Sequence, residues 1–137
     1  MSQYLRLHVG DIVFAVHYTE VLEVGQWQHK KRQEKIIWRE QTVPLVMLSE
    51  LLSLPASRCD SFVVMGENSE NKNETVMVIV DRIEPLVTIP ENEFTPVLAE
   101  DASVVRLANE AWYNGDDDLV LLKLDVHRLI ASLASCV

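Results

Sequence analysis

Short apolar runs separated by polar turns make up most of this chain, and they predict a mainly β-structured protein. Residues 4–9 alternate apolar and polar side chains, and Gly10 and Asp11 form a two-residue turn signal before the next run at 12–17. Thr75–Val80 is almost wholly apolar and β-branched, which predicts a strand buried on both faces. Further strand-like runs lie at 20–24, 60–65, 83–89, 110–113 and 119–124.

Residues 36–54 predict a hairpin that leads directly into a short helix. Two apolar β runs flank the polar residues 39–42, and residues 47–54 then place leucines at helical spacing before Pro55. Because proline cannot donate to a strand ladder, Pro44 predicts an edge strand or a strand start, and Pro85 predicts a bend or an edge. A hairpin followed by a helix is a local architecture without an evident active site, so it favours function by surface contact.

A second helix is predicted over 125–134, where Asp125 is the expected N-cap and the apolar residues follow a 3.6-residue period. Each helix ends about half of the chain. This arrangement favours two small β-barrel-like halves, each finished by a helix, over one open sheet, and a β-sandwich is the alternative. The length of 137 residues fits a single domain over 1–137.

The formal net charge of −9 argues against a nucleic-acid-binding protein, because phosphate backbones are met with Lys and Arg. The basic cluster of His29, Lys30, Lys31 and Arg32 is either a solvated loop or a contact site for an acidic partner. No apolar run approaches a membrane span, and no secretory signal pattern is present. We therefore expect a cytoplasmic protein without direct membrane insertion and with reduced thiols.

The residue patterns of common catalytic and metal sites are missing from the sequence. The serines lack a nucleophile-elbow context, the cysteines Cys59 and Cys136 lack metal-ligand spacing, and the four glycines form no phosphate-binding loop. His8 and His17 lie on adjacent predicted strands, where a solvated cross-strand pair is expected rather than a metal site. Asp116, Asp117 and Asp118 fit a turn better than a calcium loop. No catalytic, cofactor or metal site is predicted, and an enzyme is disfavoured.

Four blocks, in order along nearly the whole chain, resemble CheW-like domains, the coupling proteins of bacterial chemotaxis arrays. The blocks are VGDIVFAV at 9–16 with VLEV at 21–24, IIWREQTVPLVML at 36–48, MVIVDRI at 77–83, and LVLLKLD at 119–125. The resemblance implies two small SH3-like five-stranded β-barrel subdomains that share a core, each with a short helix. It also implies a non-catalytic adaptor.

The partners implied by the resemblance are the regulatory domain of a CheA-type histidine kinase and the cytoplasmic tip of a methyl-accepting chemoreceptor. Other CheW-like domains are further implied partners, and the pathway is either swimming chemotaxis or type IV pilus twitching. The alternative is a β-barrel module that binds a peptide or an oligosaccharide and has no part in chemotaxis.

A glutamate and an arginine of the family motif map onto Glu23 and Arg39, which we expect to pair across neighbouring strands. The expected partner-binding set adds four neighbours of these two residues: Val21, Trp27, Glu40 and Val43. Trp27 is either an exposed anchor for a partner or an aromatic residue buried under the connector. Val43 either presents an apolar face to a partner or packs inward.

The chain departs from the family pattern at three places. Glu40 stands where the family has glycine, the connector before Arg39 is short and basic, and the glycine that usually precedes the valine–aspartate strand is absent. These departures predict a divergent member with altered partner preference.

Overall fold

The computed structural model describes residues 1–28, 34–55, 58–66, 74–97, 106–114 and 119–134. The basic residues 29–32, the aspartates 116–118 and Cys136 lie outside the described residues. The strands of the described part are β1 (Ser2–Val9), β2 (Ile12–His17), β3 (Val21–Gln26), β4 (Lys35–Trp38), β5 (Gln41–Met47), β6 (Ser61–Gly66), β7 (Thr75–Val80), β8 (Arg82–Ile89), β9 (Thr95–Pro96), β10 (Glu110–Asn114) and β11 (Leu119–Lys123). The helices whose bounds lie within the described part are α1 (Leu48–Leu51) and α2 (Val126–Ala134), Arg106 and Leu107 are also helical, and short 3₁₀ turns lie at Tyr18–Glu20 and Glu91–Glu93.

The strands form two sheets. The first sheet has the order β8-β1-β2-β11-β10-β9, and the second has the order β3-β6-β7-β5-β4. Each sheet contains one parallel pair, β2 with β11 and β5 with β7, and its other pairs are antiparallel. The first sheet has six strands rather than the expected five because the two-residue β9 joins its edge.

The hydrophobic core has three parts because alternate side chains of a strand face opposite sides of a sheet. A shared cluster between the sheets takes Leu7 and Phe14 from the first sheet, Val63 and Val78 from the second, and Leu129 from α2. Two smaller clusters occupy the other faces. One contains Tyr4, Val13, Ala15, Ile89, Phe94 and Leu121. The other, the second-sheet cluster, contains Val43, Val64, Met77 and Ile79. Two barrel-like halves that share a core, as expected from the sequence, are confirmed.

The two prolines have different positions. Pro85 lies on the edge strand β8, as predicted, at an irregularity in the pairing with β1, and Arg6 Nε donates to its carbonyl oxygen at 3.3 Å. Pro44 lies on β5, which has neighbours on both sides, so the prediction of an edge strand is wrong there. Pro44 is opposite Lys35, and the ladder to β7 begins only at Leu45, so the missing N–H precedes that ladder.

The first helix is shorter than the predicted 47–54. Met47 still belongs to β5, and Ser53 has a φ of 56°, a left-handed conformation that cannot continue a helix. The second helix begins after Asp125, whose Oδ1 accepts a hydrogen bond from the Arg128 N–H at 3.1 Å. This contact satisfies one of the free amides at the helix start.

Candidate functional site

Glu23 and Arg39 form an ion pair at the surface of the second sheet. Arg39 Nη2 donates to Glu23 Oε1 at 3.4 Å. The two residues do not come from neighbouring strands, because Glu23 lies on β3 and Arg39 follows β4, which are the opposite edges of the sheet. Their contact therefore shows that the sheet curls until its two edges meet.

Trp38 completes this contact, although the sequence analysis did not include it in the site. Its indole Nε1 donates to Glu23 Oε2 at 3.2 Å, so each carboxylate oxygen has one donor. The Arg39 guanidinium also lies over the Trp38 ring, with Cζ 4.5 Å from the ring centroid. The alternation of side chains along β4 could have indicated this role of Trp38, because it turns Ile36 and Trp38 to the same, partly buried face.

The three-residue contact holds Arg39 in one orientation and adds little to stability. The side chains of Arg39 and Glu23 are 62% and 40% exposed, and an exposed ion pair contributes about 0–1 kcal/mol. A cation–π contact at an exposed site adds about 0.5–1 kcal/mol. Arg39 thus presents an oriented and accessible guanidinium to any molecule that approaches this edge.

The turn between β4 and β5 has an unusual backbone. Trp38 is opposite Gln41, so the loop consists of Arg39 and Glu40 alone, with φ angles of 48° and 64°. Two positive φ angles in a two-residue hairpin loop are typical of a type I′ turn, which favours Asn and Gly. Glu40 is exposed and makes no hydrogen bond or ion pair with any residue that the structure describes.

The other predicted site residues are less accessible. Val43 is 1% exposed and packs in the second-sheet cluster, so it supports this surface from beneath rather than facing a partner. Val21 is partly buried against the shared cluster. Trp27 is partly buried against the second-sheet cluster, and its backbone N–H donates to the Asp60 carbonyl oxygen at 2.8 Å.

Three exposed apolar residues lie on the two strands that lead to the ion pair, and the sequence analysis missed them. Leu22 and Val24 on β3 are 44% and 48% exposed, and Ile37 on β4 is 74% exposed. Leu22 is the extra residue where the pairing of β3 with β6 shifts register. Among the described residues, β3 pairs only with β6 and β4 only with β5. This edge surface (Leu22, Glu23, Val24, Ile37, Arg39 and Glu40) therefore combines exposed apolar side chains and charge on the two edge strands of the second sheet, as protein-binding surfaces do.

A cavity of about 650 Å³ lies where the start of β6 faces the turn between β7 and β8. Among its described lining residues, Asp60 and Asp81 are balanced by Arg58 and Arg82, and Trp27 and His8 belong to the same lining. Asp81 Oδ2 accepts a hydrogen bond from the Gly10 N–H at 2.8 Å, which fixes the first hairpin turn.

The histidines do not meet across the first hairpin, contrary to the expectation of a cross-strand pair. His8 is opposite Val13 and contacts Glu84, whereas His17 is opposite Tyr4 and its Nδ1 lies 2.6 Å from Thr19 Oγ1. Within the described ranges, no group of three His, Cys, Asp or Glu side chains is placed to hold a metal ion. In the same part of the chain, no helix is both long and apolar enough to cross a membrane.

Comparisons with known proteins agree with this architecture. A family model described as "CheW-like domain" matches residues 3–134. Among solved structures, the scaffolding protein TtCheW from Thermoanaerobacter tengcongensis aligns with a TM-score of 0.68 and 14% sequence identity, over 90% of this chain and 88% of that chain. At this identity the likeness concerns the fold. A search of curated proteins finds no match.

Proposed function

Because the chain belongs to the CheW-like domain family, whose model spans residues 3–134, we propose that it is a non-catalytic adaptor in bacterial chemosensory signalling. It couples the cytoplasmic tip of a methyl-accepting chemoreceptor to the regulatory domain of a CheA-type histidine kinase, in a chemotaxis or twitching pathway. It works in the cytoplasm and takes no cofactor. Other CheW-like domains are further partners.

The edge surface is the observation that carries this proposal. The Arg39 guanidinium is stacked on Trp38 and paired with Glu23, and it is still 62% exposed. Since the contact contributes little to stability, its value lies in orienting charge for a partner. The exposed side chains of Leu22, Val24 and Ile37 supply apolar area on the same two edge strands.

We propose that Glu23, Arg39 and Glu40 contact a partner directly. Val21 lies on β3 two residues before Glu23, Trp27 follows the same strand and is partly buried against the second-sheet cluster, and Val43 packs within that cluster. Removal of one member of an interfacial charge pair weakens binding strongly because the other charge is left unpaired. Substitutions of Glu23, Arg39 and Glu40 are therefore expected to lower affinity without changing the fold.

Charge reversal tests this proposal. Glu23→Lys and Arg39→Glu should each weaken binding to the purified kinase regulatory domain, or to a receptor tip fragment, by roughly tenfold or more. The melting temperature should fall only modestly, because the ion pair between Glu23 and Arg39 is exposed and Glu23→Lys additionally removes one hydrogen-bond acceptor of Trp38. Arg106→Glu is the matched control, since it reverses an exposed arginine outside the edge surface. Isothermal titration calorimetry measures the affinity.

The double variant Glu23→Lys with Arg39→Glu separates the two roles of the pair. It restores an ion pair between β3 and the turn, but it exchanges the charges that a partner meets. If a partner recognises these charges, the double variant binds as weakly as the single variants. Recovery of affinity would show that the pair only positions the turn. Absence of a complex between the unaltered protein and either partner at tens of micromolar would contradict the proposed function.

A further inference from the structure

We propose that Trp38 is the positioning residue of the edge surface. Its indole holds both Glu23 and Arg39 in place, so partner binding depends on Trp38 through Arg39 and not through a contact of its own. The effect on binding rests on the proposed function, whereas the positioning of Arg39 can be tested on this chain alone.

Trp38 is held by the sheet before it contacts either charged residue. Its backbone pairs with Gln41 at the end of the β4–β5 hairpin, and its side chain is partly buried against the second-sheet cluster. Tryptophan combines a large apolar body, which packs inward here, with an N–H group that needs an acceptor. The indole is therefore the most firmly held member of the three-residue contact.

The hydrogen bond from Trp38 is the stronger of the two contacts to Glu23. Trp38 Nε1 donates to Glu23 Oε2 at 3.2 Å in a partly buried position, whereas Arg39 Nη2 donates to Glu23 Oε1 at 3.4 Å in an exposed one. A hydrogen bond to a charged group contributes more to stability than an exposed ion pair does. Trp38 is thus the main support of the Glu23 carboxylate.

The face of the same ring places the Arg39 guanidinium. Consecutive strand residues face opposite sides of a sheet, but Arg39 has a φ of 48° and leaves the strand conformation. Its Cζ lies 4.5 Å from the centroid of the Trp38 ring. One contact to Glu23 leaves the guanidinium free to rotate, whereas stacking on an aromatic ring fixes its plane. Because arginine recognises acceptors through a planar fork of donors, this plane sets the direction of recognition.

Two substitutions separate the ring from its N–H group. Trp38→Phe keeps an aromatic face and an apolar body but removes the donor to Glu23, and Trp38→Leu removes both. Trp112→Phe is the matched control. Trp112 lies on the first sheet, is partly buried against a core cluster, and also donates from Nε1 to a glutamate, Glu93, at 3.3 Å.

The first measurement needs no partner. The ring current of an indole displaces the resonances of a guanidinium stacked on it, so proton–nitrogen correlation spectra of the arginine side chains report the stacking. We expect the Arg39 Nε–H resonance to move strongly in Trp38→Leu, to move less in Trp38→Phe, and to stay in place in Trp112→Phe.

The second measurement is the affinity for the partner whose binding Arg39→Glu lowers, so that the complex tested is the one that uses this guanidinium. By calorimetry, Trp38→Leu should weaken this binding by roughly tenfold and Trp38→Phe by less, while Trp112→Phe should bind like the unaltered protein. In a double-mutant cycle, Trp38→Leu should cause no further loss when Arg39→Ala is already present, because Trp38 acts through Arg39.

Three results would overturn the inference while leaving the proposed function intact. They are an unmoved Arg39 resonance in Trp38→Leu, losses that add in the double-mutant cycle, and a Trp112→Phe variant that binds as weakly as Trp38→Phe. If Arg39→Glu lowers neither affinity, the guanidinium is not used and the inference fails with that assignment. If the unaltered protein binds neither partner, the proposed function fails, and the spectra still decide whether Trp38 positions Arg39.

Discussion

The backbone conformation of the β4–β5 turn is predicted to lower the free energy of unfolding of the protein. Glu40 has a φ of 64°, and in this region an L-residue costs about 1–2 kcal/mol relative to its relaxed conformation. Glycine has no such cost. Glu40→Gly should therefore stabilise the folded state, even though the substitution removes a side chain and creates no new contact.

The stabilisation expected for Glu40→Gly is partly offset by an effect on the unfolded state. Glycine has more conformational freedom there, which costs about 0.4–1 kcal/mol on folding. Subtracting this cost from the relief of strain leaves a net stabilisation between about 0 and about 1.6 kcal/mol, with a central value of about 0.8 kcal/mol. For a chain of 137 residues, this corresponds to a rise in melting temperature of about 2–4 °C.

Two companion variants identify the source of the gain. Glu40→Gln retains the strained backbone and should leave the free energy of unfolding unchanged. Arg39→Gly relieves similar strain at a φ of 48° but loses the contacts to Glu23 and Trp38, so its net effect should be close to zero.

Urea unfolding followed by tryptophan fluorescence measures the three variants, and an unchanged m-value shows that the unfolded states are comparable. The reasoning is refuted if Glu40→Gly unfolds at the same or a lower urea concentration than the unaltered protein, or if Glu40→Gln gains equally. A Glu40→Gly variant that is more stable but binds its partner less tightly would show that the strain is retained for function.

Two further predictions concern packing and pH. A Cβ at Gly25 would lie 2.6 Å from Phe62 Cε1 and 2.7 Å from Cζ, so Gly25→Ala should destabilise the protein by about 1–3 kcal/mol. Adding Phe62→Leu should recover most of this loss in urea unfolding, and an unchanged midpoint for Gly25→Ala alone would contradict the packing argument. Burial, with smaller contributions from Glu91, Glu110 and Glu20, raises the pKa of Tyr4 above its usual value near 10. The folded state thus holds this proton more tightly than the unfolded state, and the resulting stability is lost as the pH rises through the raised pKa. Melting curves from pH 8 upward should show a steeper alkaline decline for the unaltered protein than for Tyr4→Phe, and identical declines would contradict this assignment.

Local patterns in the sequence predicted the elements that depend on local physics. The apolar run Thr75–Val80 is a strand, and five of its six residues are buried. Gly10, with a φ of 59°, turns the first hairpin as its position indicated. The family resemblance pointed to Glu23 and Arg39, and their pairing was expected across neighbouring strands; the contact is present, but it joins opposite edges of the sheet.

The errors fall where the answer depends on distant parts of the chain. Pro44 suggested an edge strand, but whether β5 is an edge depends on where β7 pairs, more than 30 residues later. The exposure of Ile37 also depends on pairing between distant parts of the chain. Its sequence context predicts a strand, but only the strand order places that strand at an edge. The short α1 follows from a backbone angle at Ser53, which composition does not reveal.

In the candidate site, the sequence was enough to identify the residues but not the geometry of their contact. Glu23 and Arg39 are 16 residues apart in sequence, and they belong to the two ends of the strand order β3-β6-β7-β5-β4. Their 3.4 Å contact exists only because the sheet curls until β3 reaches the β4–β5 turn. The curl in turn depends on β6 and β7, whose side chains fill the cores on both faces of the sheet. The oriented guanidinium is therefore produced by closure of the second barrel and by no single segment, so packing changes on β6 or β7 are expected to alter partner binding through the position of Arg39.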